Sequence, residues 1–244
     1  MIARGFILQA SYRIESRPSQ GLQPVIHVYG RLADGGTFLV RDDRQRPHFY
    51  IRAADAERAQ RLGALEARVV DRRTFDGAPV LLVTTQTPGD VPAVRDRLHS
   101  AGLETFEADV RFAVRYLIER GIKGGCEIEG DAVAGDPAVG QHLSWVFDNP
   151  LIRPAQVDVE PRVLSFDIET DPKGERLLAI SLYAPGLDEV LIVDGTARAM
   201  PEKATRCADE RSALQAFCDR VIALDPDVLT GWNTIDFDFA VLER

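Results

Sequence analysis

Ser165-Phe166-Asp167-Ile168-Glu169-Thr170 is the stretch of this chain whose residue types and spacing best suit chemistry. Side chains alternate along a strand with a period of two. Asp167 and Glu169 therefore share one face, while Phe166 and Ile168 point into a core. Two carboxylates on one face of an interior strand repel each other. A divalent cation relieves that repulsion best, because hard cations take carboxylate oxygen. The competing reading is an edge strand with a solvated acidic face. Arg162-Val163-Leu164 before the segment and the Thr170-Asp171-Pro172 turn after it favour a central strand.

A second candidate runs from Asp227 through Val228-Leu229-Thr230-Gly231-Trp232-Asn233-Thr234-Ile235-Asp236-Phe237 to Asp238. It reads as a short buried strand at Val228-Leu229, a turn at Gly231 and a helix from Asp236 onward. Acids in a first helical turn are favoured by the helix dipole, so Asp236 and Asp238 have a purely structural explanation as well.

The elements that must position these residues follow a regular plan. Val163–Ile168, Leu177–Tyr183 and Val190–Val193 read as three antiparallel strands. They are joined by turns at Asp171-Pro172-Lys173-Gly174 and Pro185-Gly186. Asp209–Leu224 has apolar Leu214, Phe217, Val221 and Leu224 at helical spacing, and Asp225-Pro226 ends it. Strands, helix, strand and helix in this order match the start of an RNase H-like α/β domain.

The first 110 residues read mainly as strands: Gly5–Ile14, Val25–Leu32, Thr37–Val40, Phe49–Arg52 and Val80–Thr85. Turn-type residues separate them at Arg17-Pro18-Ser19-Gln20-Gly21, Asp34-Gly35-Gly36 and Asp76-Gly77. Two helices are expected, at Ala54–Leu62 and from an Asp90 N-cap to Gly102. Residues 121–160 are rich in glycine and proline and read as short strands and a connecting loop between domains. The expectation is a mixed α+β, β-rich N-terminal domain over residues 1–155, then an incomplete RNase H-like α/β domain over 156–244.

The chain has 244 residues and a formal charge of −9. That balance argues against a general nucleic-acid binder, which is usually basic. The first 150 residues carry 20 acidic and 19 basic side chains, the remainder 18 and 10, so the excess acid lies in the last third. Arg41, Arg44, Arg46, His48 and Arg52 form a basic stretch that reads as a solvated face or a phosphate contact. Cys126, Cys207 and Cys218 have no metal-type spacing, and neither do His27, His48, His99 and His142. Idle thiols fit a reducing compartment, hence a cytoplasmic location. Met1–Ala10 reads as a strand rather than a signal peptide. No apolar run approaches the ~18 residues of a membrane span.

Phe-Asp-Ile-Glu-Thr, followed about 60 residues later by Gly-Trp-Asn-x-x-x-Phe-Asp, resembles the first two exonuclease motifs of the family B DNA polymerases. The likeness is strongest to the bacterial DNA polymerase II group. It extends over the whole chain through Gly5-Phe6-Ile7-Leu8, Pro47-His48-Phe49-Tyr50 and Thr105–Arg120. The resemblance implies that Asp167, Glu169 and Asp238 are catalytic metal ligands for two Mg²⁺ or Mn²⁺ ions, with Asp236 at a variable position. It implies that Asn233, Phe237 and Thr170 contact DNA, the aromatic by stacking on an unpaired base. Core packing remains open for Phe237 and is preferred for Trp232.

The implied activity is two-metal 3′→5′ proofreading hydrolysis, releasing nucleoside monophosphates. The implied partners are the single-stranded 3′ end and the primer–template duplex. Deoxynucleoside triphosphates enter only through the polymerase region, and a sliding clamp is a further implied partner. A third motif of this family, Tyr-x-x-x-Asp, is expected beyond Arg244, so these 244 residues are expected to be nearly inactive alone. Two other readings stay open: a free-standing RNase H-like exonuclease, and a non-catalytic DNA-binding module on a nuclease fold.

Overall fold

The computed structural model describes residues 1–18, 21–63, 66–135, 143–196 and 199–243. Ser19, Gln20, Pro137, Gly140 and His142 lie outside them. The chain divides into two compact units, Met1–Val159 and Glu160–Arg244.

The first unit opens with β1 (Ile2–Arg17), β2 (Gly21–Leu32) and β3 (Thr37–Asp42), a meander of antiparallel partners. Then come β4 (His48–Arg52), α1 (Ala56–Arg61), β5 (Glu66–Arg73), β6 (Pro79–Thr84), α2 (Asp90–Ser100), β7 (Thr105–Phe106) and α3 (Phe112–Glu119). β8 (Gly125–Glu129), β9 (Ala132–Ala134), β10 (Trp145–Asp148) and β11 (Leu151–Pro154) follow. Seven strands form one sheet, in the order β11-β8-β1-β2-β3-β10-β9, and four form a second, β5-β6-β4-β7. The larger sheet packs Ile26, Val28, Phe38, Ile128 and Phe147 against Phe112 and Tyr116 of α3.

The glycine- and proline-rich stretch from 121 to 160 holds short strands, as expected, and all four join the large sheet. β8 pairs with β1, β10 runs parallel to β3, and β11 closes the far edge. The strands are three to five residues long, too short for a periodic signal, and β8 and β10 find partners in β1 and β3 over 100 residues away. α3 is a helix that the sequence pattern does not announce. Asp90 is the first helical residue rather than the cap; its carboxylate reaches back to accept from Thr87 N and Oγ1, both at 2.8 Å.

The second unit contains β12 (Val163–Thr170), β13 (Leu177–Ala184), β14 (Leu187–Val193), β15 (Ala204–Cys207), α4 (Glu210–Leu224), β16 (Val228–Thr230) and a short α5 (Phe239–Leu242). Its sheet has the order β15-β14-β13-β12-β16. β12, β13 and β14 are antiparallel neighbours; β15 and β16 are added in parallel at the two edges. β12 is interior, as its flanks suggested. Leu164, Phe166 and Ile168 point to the buried face, where Phe217 of α4 and Phe239 of α5 each lie 5.2 Å from the Phe166 ring centroid.

α4 is fixed at both ends. Asp209 accepts from Ser212 N at 2.8 Å while Ser212 Oγ receives the Asp209 N–H, a reciprocal cap that satisfies two orphan donors. At the other end Asp225 takes the left-handed conformation, φ 48°, and stops the helix. β16 is exposed rather than buried. It is an edge strand with β12 on one side only, so Val228 and Leu229 are half covered.

Candidate active site

β12 delivers Asp167 and Glu169 to the face opposite the core, both exposed. Across the ladder stand Ser181 and Ala179 of β13. These small side chains leave the space over the carboxylates open. Thr170 ends the strand half-buried, its hydroxyl donating to Asp171 O at 3.0 Å. Asp171 then holds the turn by accepting from Glu175 N at 2.8 Å and Arg176 N at 3.2 Å, which keeps its carboxyl below the usual carboxylate range.

The second segment is laid beside the first by β16. Asp227 and Arg162 anchor the pairing: Arg162 N donates to the Asp227 carboxylate and Asp227 N to Arg162 O, each at 2.8 Å. Val163 faces Val228 and Ser165 faces Thr230. The chain then crosses β12 at Gly231, where a Cβ would sit 2.2 Å from Phe166 O and 2.6 Å from Thr234 Oγ1. Only a residue without a side chain allows that approach.

Asn233 adopts φ 55° and begins a wide π-helical turn, Thr234–Asp238. Phe237 N donates to Asn233 O at 3.0 Å, and Asp238 N reaches the same oxygen at 3.5 Å. Such turns recur at functional sites because the extra residue re-aims side chains. Here it turns Asp238 inward to 1% exposure. Burial pushes the Asp238 carboxyl up, and the negative charge of Asp167 pushes it further in the same direction. Thr234 pulls the other way but falls short of a hydrogen bond: its Oγ1 and Asp238 Oδ2 are both buried without a partner.

Asp167 thus lies near enough for its charge to act on the buried Asp238 carboxyl. No three His, Cys, Asp or Glu side chains among the described residues are grouped closely enough to hold a metal ion, so Glu169 does not complete a set with them. Asp236 is exposed and Asn233 is exposed. Phe237 is 38% exposed, its ring near the β12–β13 turn, where a Cβ on Gly174 would meet it at 3.9 Å. Trp232 is not packing: it is 89% exposed, because Gly231 lies flat on β12 and the next side chain turns outward. Thr234 was passed over, since it fills a variable position of the motif. Its only signal was a hydroxyl four residues before an acid.

The basic stretch at 41–52 is largely neutralised. Arg41 pairs with Glu15 and Asp148, Arg44 with Asp42, His48 with Glu119, and Arg52 with Glu104 and Asp76. No helix of the described residues is long and apolar enough to cross a membrane.

Comparison with known proteins fits this geometry. Residues 103–244 match the model of the DNA polymerase family B exonuclease domain. That span begins within the first unit and takes in α3 and β8–β11 as well as the whole second unit. The chain is 31% identical over 253 residues to DNA polymerase II of Escherichia coli, covering 100% of this chain and 30% of that protein. It is 28% identical over 268 residues to DNA polymerase 2 of Aeropyrum pernix, covering 97% and 31%. The solved family B DNA polymerase of Pyrobaculum calidifontis superposes with a TM-score of 0.75 at 25% identity, over 98% of this chain and 32% of that one. The chain thus spans about a third of the length of these relatives. With the family model covering more than half of its residues, the chain belongs to the family B DNA polymerases, in the region of their exonuclease domain.

Proposed function

We propose that this chain forms the front of a 3′→5′ proofreading exonuclease site in a family B DNA polymerase that acts in replication or repair. The supporting observation is the Asp167–Asp238 pair. β12 and the π-helical turn set Asp167 near enough for its charge to raise the Asp238 carboxyl, whose Oδ2 is buried without a geometric hydrogen-bond partner. A fold does not keep such a pair for stability, since a buried unpartnered carboxylate costs free energy. An all-oxygen donor set of this kind fits a hard divalent cation. Asp167 and Asp238, with Glu169 farther along the same face of β12 as the third expected ligand, would hold Mg²⁺ or Mn²⁺, which when bound activates water and stabilises charge on the leaving oxygen.

The chain's own residues do the rest. The small Ser181 and Ala179 side chains leave the face around Asp167 and Glu169 open to a single strand. Phe237 offers a half-exposed ring to the unpaired terminal base. Asn233, held in a left-handed conformation, presents its amide to sugar and phosphate oxygens, and Thr170 at the end of β12 is the further contact. Primer–template duplex, deoxynucleoside triphosphates, a sliding clamp and a cytoplasmic, nucleoid-associated setting belong to the whole polymerase in this reading.

The test is release of mononucleotides from 3′-labelled single-stranded DNA by the full polymerase. Loss of residues that only support metal ligands costs ~10–100-fold, so Asp167→Asn and Asp238→Asn should each cost at least ~100-fold. Activity within threefold of the parent in both variants would refute the assignment. The 244-residue chain alone should release little, because only two of its carboxylates are brought together.

A further inference from the structure

Two buried polar atoms without a partner sit on one turn. Thr234 Oγ1 and Asp238 Oδ2 are both enclosed and unbonded among the described residues. Thr234 is 8% exposed and Asp238 1%, so both side chains point inward. A buried hydroxyl without a partner costs free energy, and so does a buried carboxylate oxygen. Their needs are complementary: the hydroxyl has a proton to donate, and the ionised carboxylate only accepts.

The fold keeps a place for this hydroxyl. Gly231 passes so close that a Cβ there would lie 2.6 Å from Thr234 Oγ1. Thr234 opens the π-helical turn that ends at Asp238, and its own carbonyl accepts the Phe239 N–H. The hydroxyl is not used as a helix cap, since the cap position belongs to Asn233. Thr234 lies near enough to Asp238 to pull its carboxyl down, against the effects of burial and of the Asp167 charge. The last torsion of an aspartate is broad, so a small turn of the carboxylate aligns Oδ2 with the hydroxyl at little cost.

We propose that Thr234 is a positioning residue of the cation site: its hydroxyl donates to Asp238 Oδ2 and so fixes the carboxylate with Oδ1 turned to the cation. The inference rests on the metal-binding reading above and goes beyond it, since Thr234 is not itself a ligand. A carboxylate free to rotate spends part of its time aimed away from the cation. With one oxygen tied down, the other stays in place. Partners that orient a metal ligand in this way are worth ~10–100-fold in metal affinity.

The test is the Mn²⁺ affinity of the 244-residue chain, read by the free-ion paramagnetic resonance signal, for the parent, Thr234→Val, Thr234→Ala and Thr234→Ser. Valine keeps the shape and loses the hydroxyl; serine keeps the hydroxyl and loses the methyl. Thr234→Val should bind Mn²⁺ about 10-fold more weakly, and Thr234→Ser should stay within about threefold of the parent. A packing role gives the reverse order, because the buried methyl is what serine lacks. Thr234→Ala introduces no new atom and should weaken binding as valine does; it replaces the valine variant if circular dichroism shows that one misfolded. Valine and alanine variants that bind like the parent overturn the proposal, as does a serine variant as weak as valine. Those outcomes leave the metal reading standing, provided that the parent binds Mn²⁺ and Asp238→Asn weakens it. A parent that takes up no Mn²⁺ overturns the metal reading itself, and this inference with it.

Discussion

Gly231→Ala probes the crossing that brings the two site segments together. The added Cβ would lie 2.2 Å from Phe166 O, far inside any real Cβ contact. Phe166 cannot yield, because β12 is held by ladders on both sides. The 228–234 segment must retreat instead, and with it the turn carrying Asp238. Overpacking of this kind costs typically ~1–3 kcal/mol, and so short a contact belongs at the upper end. Alanine also restricts the unfolded chain, which returns ~0.4–1 kcal/mol. The net loss is about 2 kcal/mol. With a urea slope of ~1.5 kcal/mol per molar, the second unit's midpoint should fall by roughly 1.3 M. Gly195→Ala is the control in the same unit, since its Cβ would meet only Ala208 O at an ordinary 3.7 Å. Urea unfolding followed by circular dichroism should separate the two variants. Equal midpoints would show that the segment is not seated on β12 as described.

Three further outcomes follow from the same contacts. Asp209→Ala removes the reciprocal cap on α4 and should cost ~1 kcal/mol, seen as a lower thermal midpoint for the second unit. Asp42 is fully buried; burial works against its charge, yet hydrogen bonds from Arg44 and the Tyr116 hydroxyl hold its carboxyl below the usual range. A depressed folded pKa stabilises above the unfolded value of ~3.9 and is lost as pH falls through the folded value, so urea titrations should show the first unit weakening below about pH 4, and Asp42→Asn should flatten that slope. Asp238 has the opposite sign: its raised carboxyl binds protons more tightly folded than unfolded, so stability declines as pH rises from ~3.9. Asp238→Asn should therefore leave the metal-free chain at least as stable at pH 7, measured by urea unfolding, while it weakens cation binding.

The local half of this architecture was legible and the long-range half was not. The alternation of Leu164, Phe166 and Ile168 with Asp167 and Glu169 survives unchanged in β12, because a two-residue period is a property of the strand itself. The Leu214, Phe217 and Val221 stripe of α4 likewise faces the core. β5 went unseen, since Arg68, Arg72 and Arg73 give it the composition of a solvated loop. β15 is four residues and gains its place only by parallel pairing with β14. At the site, Asp167 and Asp238 could be named but not paired. Their meeting depends on the β12–β16 register and on a π-helical turn that no periodicity announces. Trp232 misled for a related reason: large aromatics are usually buried, but a residue after a glycine pressed on a strand has nowhere inward to go.

The most direct test is Mn²⁺ binding to the 244-residue chain, read by the loss of the free-ion paramagnetic resonance signal. Binding should be present in the parent and fall at least ~10-fold in both Asp167→Asn and Asp238→Asn. Glu169→Gln should have the smaller effect, since Glu169 stands apart from the pair. A parent that takes up no Mn²⁺, or takes it up equally well with Asp167 replaced, would contradict the central claim that these two carboxylates together hold a cation.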